Sequence, residues 1–116
     1  MDLVLRWLTA FLFTQLVEMG IYVRAFPESR PLRERLAIAF CASGITHPLV
    51  WYVIPDAAGS LGISWWSTVA IAESFAVLAE AALLASFGVP RPLLWALLAN
   101  GTSFLIGLFC YTHLGW

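Results

Sequence analysis

Four uninterrupted apolar stretches, each about 20 to 24 residues long, determine what this chain can fold into. They run from about Leu3 to Val23, Leu36 to Pro55, Ser64 to Phe87 and Pro92 to Leu114. A helix rises 1.5 Å per residue, so each stretch is long enough to cross a bilayer core of ~30 Å. We therefore expect an all-α polytopic membrane protein, in which residues 1–116 form a single domain of four transmembrane helices with short loops.

Composition narrows the function classes. The chain is 61% hydrophobic and 11% charged, whereas soluble domains carry about 25% charged residues, and this excludes an ordinary soluble enzyme. The net charge is −1 and no Lys is present, so no cluster of cations can neutralise a phosphate backbone. We expect the lipid bilayer as a partner and no nucleic acid.

Proline and glycine mark the ends of the four stretches. Pro31 precedes the second, Pro55 and Gly62 follow it, and Gly88 and Pro92 separate the third from the fourth. Glycine suits the position just after a helix, and proline suits its first turn. These residues predict helix ends at Pro55 and Gly88.

The arginines predict the orientation in the membrane. Arg24, Arg30, Arg33 and Arg35 lie between the first and second stretches, and Arg91 lies between the third and fourth. The opposite side of the membrane has only Arg6. Because cytoplasmic loops are enriched in basic residues, both termini are expected outside the cytoplasm of a bacterial inner (plasma) membrane. Most Trp and Tyr residues fall at the opposite boundary, as interfacial anchors do: Trp7, Trp51, Tyr52, Trp65, Trp66, Tyr111 and Trp116.

Five of the polar residues inside the apolar stretches are the least expected there: Glu18, His47, Glu73, Glu80 and Asn100. An acidic residue at mid-membrane costs about 2.5 to 3.5 kcal/mol unless it is protonated or paired. By helical rise, His47 and Glu73 share an outer level, and Glu18, Glu80 and Asn100 share an inner one. This polar intramembrane cluster either joins the helices by hydrogen bonds or forms a functional site, and both interpretations stay open.

The second stretch contains a candidate helix break. Pro48 cannot donate to the carbonyl of Gly44, and Thr46 and His47 lie beside that carbonyl. Transporters bind ions at such breaks, whereas a simple proline kink has no function of its own. Gly44, Thr46 and Pro48 therefore predict either a polar break or a kink.

Two further patterns concern packing. Gln15 and Tyr22 share one helical face with Glu18 and are expected to bond its carboxyl group. Ala99, Ser103 and Gly107 form a stripe of small residues that permits close helix contact, including contact with a second subunit. We accordingly expect a homo-oligomer or a chain bound to a partner membrane subunit.

The cluster supports three hypotheses of function. Glutamates and a histidine inside a membrane suit proton-coupled movement of a cation or small solute, or ion conduction, by an oligomer. A second hypothesis is a non-catalytic subunit of a larger complex.

The third hypothesis is a metal-dependent intramembrane enzyme, with a divalent ion on His47 and Glu73 and with Glu80 or Glu18 as the base. One histidine at this depth is few for a zinc site, and no dense metal motif is present, so the pattern favours a protein that is not an enzyme. Neither haem nor a nucleotide is expected, since His113 lies too far outward to pair with His47.

Some segments resemble known membrane proteins. The segment around Glu18, with the chain length and span number, is similar to the small multidrug resistance family, whose members work as dimers around such a carboxylate. That family lacks a Thr-His-Pro in the second span and paired glutamates in the third. Thr46-His47-Pro48, Glu73 with Glu80, and Ala99-Asn100 together resemble small bacterial four-helix integral membrane proteins of uncharacterised function.

The orientation can be tested by cysteine labelling, in a chain whose Cys41 and Cys110 have been replaced. We expect a membrane-impermeant thiol reagent to label Ser60→Cys from outside the cell and Ser29→Cys only from the cytoplasm. The opposite pattern of labelling would overturn the argument from the arginines.

Overall fold

A computed structural model describes residues 2–114 and is helical along most of that range. Its α-helices are α1 (Leu3–Tyr22), α2 (Leu32–Pro48), α3 (Ile54–Ser60), α4 (Trp65–Ser86) and α5 (Pro92–Leu114). A π-helical segment, Leu49–Val53, joins α2 to α3, so that Leu32–Ser60 forms one span of 29 residues. Four helices are thus long and apolar enough to cross a membrane, which confirms the predicted fold class.

Side chains and glycines fix the helix ends. Asp2 Oδ1 accepts the backbone N–H of Leu5 at 2.9 Å at the start of α1, and Ser64 caps α4 in the same way. Gly62 and Gly88 have φ angles of 70° and 78°, in the left-handed region where glycine carries no steric penalty. Each glycine directly follows the last turn of a helix, at Gly88 as predicted and at Gly62 beyond the predicted end at Pro55. The next backbone N–H bonds back to a carbonyl of that turn.

The second span is longer than predicted, and its predicted end at Pro55 is wrong. It begins at Leu32, directly after Pro31, and continues to Ser60 instead of ending at Pro55. Pro55 lies in the first turn of α3, where its missing N–H is not needed and its fixed φ suits a helix. The other three predicted spans agree with the structure to within two residues.

The long helices pack in a ring, in which α1 and α4 each contact both α2 and α5. We call the side with loops 23–31 and 87–91 the arginine end, and the side with Trp51, Trp65 and Trp66 the tryptophan end. The main apolar core lies toward the arginine end. Its fully buried members include Tyr22, Ala39, Leu84 and Ala99, so this half of the bundle is closed.

Arginine side chains hold the arginine end together. Arg30 Nη2 donates to the carbonyl of Phe87 at 3.2 Å, which joins the two loops at this end. Arg35 donates to the carbonyls of Arg30 at 3.0 Å and Val23 at 3.2 Å. These bonds satisfy carbonyl groups at and beyond the ends of α1 and α4.

Ala99 allows the close contact at the arginine end, because its side chain is fully buried beside α1. We expect Ala99→Leu to overpack this contact and lower the free energy of unfolding in detergent by about 1 to 3 kcal/mol. The matched control is Ala82→Leu, where the same side chain is added at an exposed position of α4. Equal effects of the two substitutions on the unfolding midpoint would contradict this packing.

Candidate functional site

Glu80 of α4 lies at the centre of a buried hydrogen-bond network, and its side chain is 1% exposed. Tyr22 Oη donates to Glu80 Oε1 at 2.7 Å, and Asn100 Nδ2 reaches the same oxygen at 3.3 Å. Thr46 Oγ1 donates to Glu80 Oε2 at 2.8 Å. One carboxyl group therefore receives hydrogen bonds from α1, α2 and α5.

Glu18 of α1 occupies the same level and is 2% exposed. Ser43 Oγ donates to Glu18 Oε2 at 2.5 Å, and Ser103 Oγ donates to Glu18 Oε1 at 2.8 Å. Thr46 and Asn100, which bond Glu80, lie one helical turn from Ser43 and Ser103, so the carboxyl groups of Glu18 and Glu80 lie side by side. We call Glu18 and Glu80 the carboxyl pair.

The expected partners of Glu18 are wrong in both cases. Tyr22 bonds Glu80 on a different helix, and both side-chain polar atoms of Gln15 are buried without a hydrogen-bond partner. The Gln15 amide instead lies against α2 near Gly44 and Phe40. Residues on the same face of α1 do not bond Glu18, because donors on α2 and α5 lie closer to its carboxyl group.

A cavity of about 1080 Å³ extends from the tryptophan end to the carboxyl pair. Exposed residues of the tryptophan end, including Arg6, Trp65 and Trp66, line its mouth. Glu18 and Glu80 line it at the level of the closed core. The five polar residues predicted from the sequence all line this one cavity, together with several donors of the network: Glu18, His47, Glu73, Glu80, Asn100, Ser43, Thr46 and Ser103.

Glu73 lies on the cavity wall, two helical turns from Glu80 on the same face of α4. It is only partly buried, and its carboxyl group has no hydrogen bond or ion pair with a residue in the described range 2–114. The ion pair found in that range joins Arg30 and Glu34 outside the cavity, at 3.5 Å. The three cavity glutamates therefore have no cationic partner among the described residues.

His47 lines the cavity from α2 and packs among aromatic rings. Its ring centroid lies 5.4 Å from that of Phe11 and 6.1 Å from those of Trp7 and Trp51. The side chain is 8% exposed, and Nδ1 has no hydrogen-bond partner in the described chain. His47 and Glu73 share the cavity, but no hydrogen bond or ion pair joins these two side chains.

The segment Gly44, Thr46 and Pro48 does not open the helix. The chain stays helical through Pro48 and then widens into the π-helical segment, so the adjustment follows the proline. Thr46 donates its hydroxyl to Glu80 instead of lining an exposed break. Of these three residues, Thr46 thus serves the network around Glu80.

Two of the three small residues on α5 contact other helices of the bundle. Ala99 is fully buried, and Ser103 bonds Glu18 of α1. Gly107 lines the cavity, and a side chain added there would meet open space. The stripe as a contact with a second subunit stays a prediction.

The metal hypothesis gains no further ligands. Within residues 2–114 no group of three or more His, Cys, Asp or Glu side chains could hold a metal ion. His113 is exposed at the mouth of the cavity, where it stacks on Phe109 with ring centroids 4.4 Å apart. Trp116, predicted as an anchor, lies outside the described residues.

Two donors of the network, Ser43 and Ser103, are what sequence reasoning missed. Tyr22, which is expected to bond Glu18, is fully buried and donates to Glu80 instead. Depth gives no signal for Ser103, because it lies at the midpoint of its span whereas Glu18 lies inward of its own. The usable signal is that a hydroxyl group inside a bilayer needs a hydrogen-bond partner.

Comparison with protein-family models, with curated proteins and with solved structures finds no match to this chain. The carboxyl pair and the cavity are therefore the features that bear on function.

Removing one donor tests the network. Ser103→Ala leaves Glu18 Oε1 without its serine donor, and we expect a loss of roughly 0.6 to 1.7 kcal/mol in the free energy of unfolding. Ser86→Ala is the matched control, because the exposed Ser86 bonds only the carbonyl of Leu83 within its own helix. Equal unfolding midpoints for the two variants in detergent would contradict the network.

Proposed function

We propose that this chain is a proton-coupled membrane transporter that carries a small cation or positively charged solute through the cavity between its helices. The observation that carries the proposal is the cavity itself. It reaches from exposed residues at the tryptophan end to two buried carboxyl groups, and it stops at a closed core. A binding site reached from one end is what one state of an alternating-access cycle requires.

The charge of the residues that line the cavity favours a positively charged solute. Glu18, Glu73 and Glu80 line the cavity, and Arg6 at the mouth is the one Arg or Lys among its lining residues. Intramembrane carboxyl groups of transporters can be neutralised by a proton or by a bound cation. Exchange of the one for the other couples movement of the solute to movement of protons.

The lining indicates the kind of solute. Trp51, Trp65, Trp66 and Phe104 give the outer part of the cavity aromatic walls, whereas the carboxyl groups lie deeper. Aromatic faces attract cations and also cover apolar surface. A cation with an apolar portion therefore fits both regions.

A non-catalytic subunit of a larger assembly is the second candidate. Helix α1 buries the smallest share of its membrane span, 11%, compared with 39% for α4. A partner helix or a second copy of the chain would cover this face. Oligomerisation is part of both candidates.

Proton movement tests the first candidate. Purified protein is placed in liposomes that contain a pH-sensitive dye, and sodium, potassium or organic ammonium chlorides are added outside. We expect at least one cation to drive proton release through the wild-type protein and Glu80→Gln to reduce it to the rate of protein-free liposomes, because glutamine cannot exchange a proton.

Glu34→Gln is the matched control, since Glu34 is exposed and pairs with Arg30 outside the cavity. It should leave the rate unchanged. Wild-type protein that moves no protons with any of these cations would contradict transport and leave the subunit candidate. A Glu80→Gln rate equal to the wild-type rate would contradict the role of the carboxyl pair.

A further inference from the structure

We infer that the carboxyl pair, Glu18 and Glu80, is a proton-binding site that holds one proton between its two side chains, while Glu73 stands outside it on the cavity wall. The inference rests on the proposed function, because it assigns the proton of that cycle to two named residues. It concerns the inner level of the cavity, where α1 and α4 face each other.

The geometry of the pair favours one shared proton. Donors one helical turn apart on α2 and again on α5 bond the two groups, so the carboxyl groups lie side by side, and their side chains are 2% and 1% exposed. Ionised carboxylates only accept hydrogen bonds, so a bond between the two groups needs an O–H on one of them. Without that proton, two like charges would lie side by side out of contact with bulk water.

The surroundings compensate one negative charge but supply no positive one. Five side-chain bonds reach the four carboxyl oxygens, all from neutral donors on α1, α2 and α5: Tyr22, Ser43, Thr46, Asn100 and Ser103. Such dipoles stabilise a single anion in a medium of low dielectric constant. The titratable groups nearest along the packed helices are His47, one turn from Ser43, and Glu73, two turns from Glu80; none is on α5 at this level.

A second observation concerns the path from the pair to the mouth of the cavity. His47 is more than nine-tenths buried, lines the same cavity as the pair and leaves Nδ1 without a partner in the described chain. A free imidazole nitrogen can form a hydrogen bond with water or with a solute. The cavity thus offers an unused polar group between the level of the pair and the exposed mouth.

The exchange step balances in charge. An O–H bond of the pair breaks, its proton passes to water and leaves through the cavity, and both carboxyl groups then carry a negative charge. One monovalent cation entering the cavity restores the net charge of this level. Reversal returns the proton to the pair and releases the cation.

Infrared spectroscopy of the protein in lipid bilayers tests the inference, because a protonated carboxyl group has a C=O stretching band that an ionised one lacks. We expect wild-type protein near neutral pH to show this band, with a small shift in D₂O, and Glu18→Gln/Glu80→Gln to lose it. Glu73→Gln should retain the pair's band. No band in the wild type, or a band unchanged in the double variant, would overturn the inference.

Variants that each lack one hydrogen-bond donor keep the test valid if the double variant does not fold. Tyr22→Phe removes a donor to Glu80 and Ser43→Ala removes one to Glu18, so each should shift the frequency of the same band. Ser86→Ala should not. A band that neither Tyr22→Phe nor Ser43→Ala shifts would assign the proton elsewhere.

The infrared result is independent of transport. Loss of the band in the double variant, together with no cation-driven proton flux in the wild type, would support the shared proton and contradict the proposed function. Cation-driven proton flux in the wild type, without an infrared band that belongs to the pair, would support the proposed function and contradict the shared proton.

Discussion

A carboxyl group inside a bilayer needs a proton or hydrogen-bond partners, and this chain places two such groups against each other. Each ionisable residue at mid-membrane costs about 2.5 to 3.5 kcal/mol when it is left alone. Glu80 lowers this cost with donors from three other helices, α1, α2 and α5, and Glu18 does so with donors from two, α2 and α5. The rotation of each long helix about its axis is constrained by this requirement.

The pair also divides the bundle into two halves. Toward the arginine end, Tyr22, Leu84 and Ala99 fill the interior, and Arg30 and Arg35 bond the carbonyls of the loops. Toward the tryptophan end, the helices enclose a cavity of about 1080 Å³. Tyr22 belongs to both halves, because its ring is part of the core while its hydroxyl bonds Glu80.

Much of this fold follows from the sequence. Long apolar stretches and the glycines at 62 and 88 predict the helices and two of their ends, because these signals are local. Pro55 misleads, since a proline suits the first turn of a helix as well as a break, and only the π-helical segment before it decides between the two. Depth along each span placed Glu18, Glu80 and Asn100 at one level, because helical rise is fixed.

The donors to the carboxyl groups could not be predicted in this way. Which residue faces Glu18 depends on how α2 and α5 are rotated and how closely they approach, and small residues such as Ala99 set that distance. Gln15 shares a face of α1 with Glu18, yet its amide lies near Gly44 of α2. The size of the cavity likewise depends on packing among all the long helices.

The most direct test of this account is the distance between the two carboxyl carbons in a membrane. Solid-state NMR on protein with ¹³C-labelled glutamate, in lipid bilayers, should show a through-space contact between the side-chain carboxyl carbons of Glu18 and Glu80. The contact should persist when labelled chains are diluted with unlabelled ones, because the pair lies within one chain. Absence of the contact, or its loss on dilution, would contradict a carboxyl pair inside the four-helix bundle.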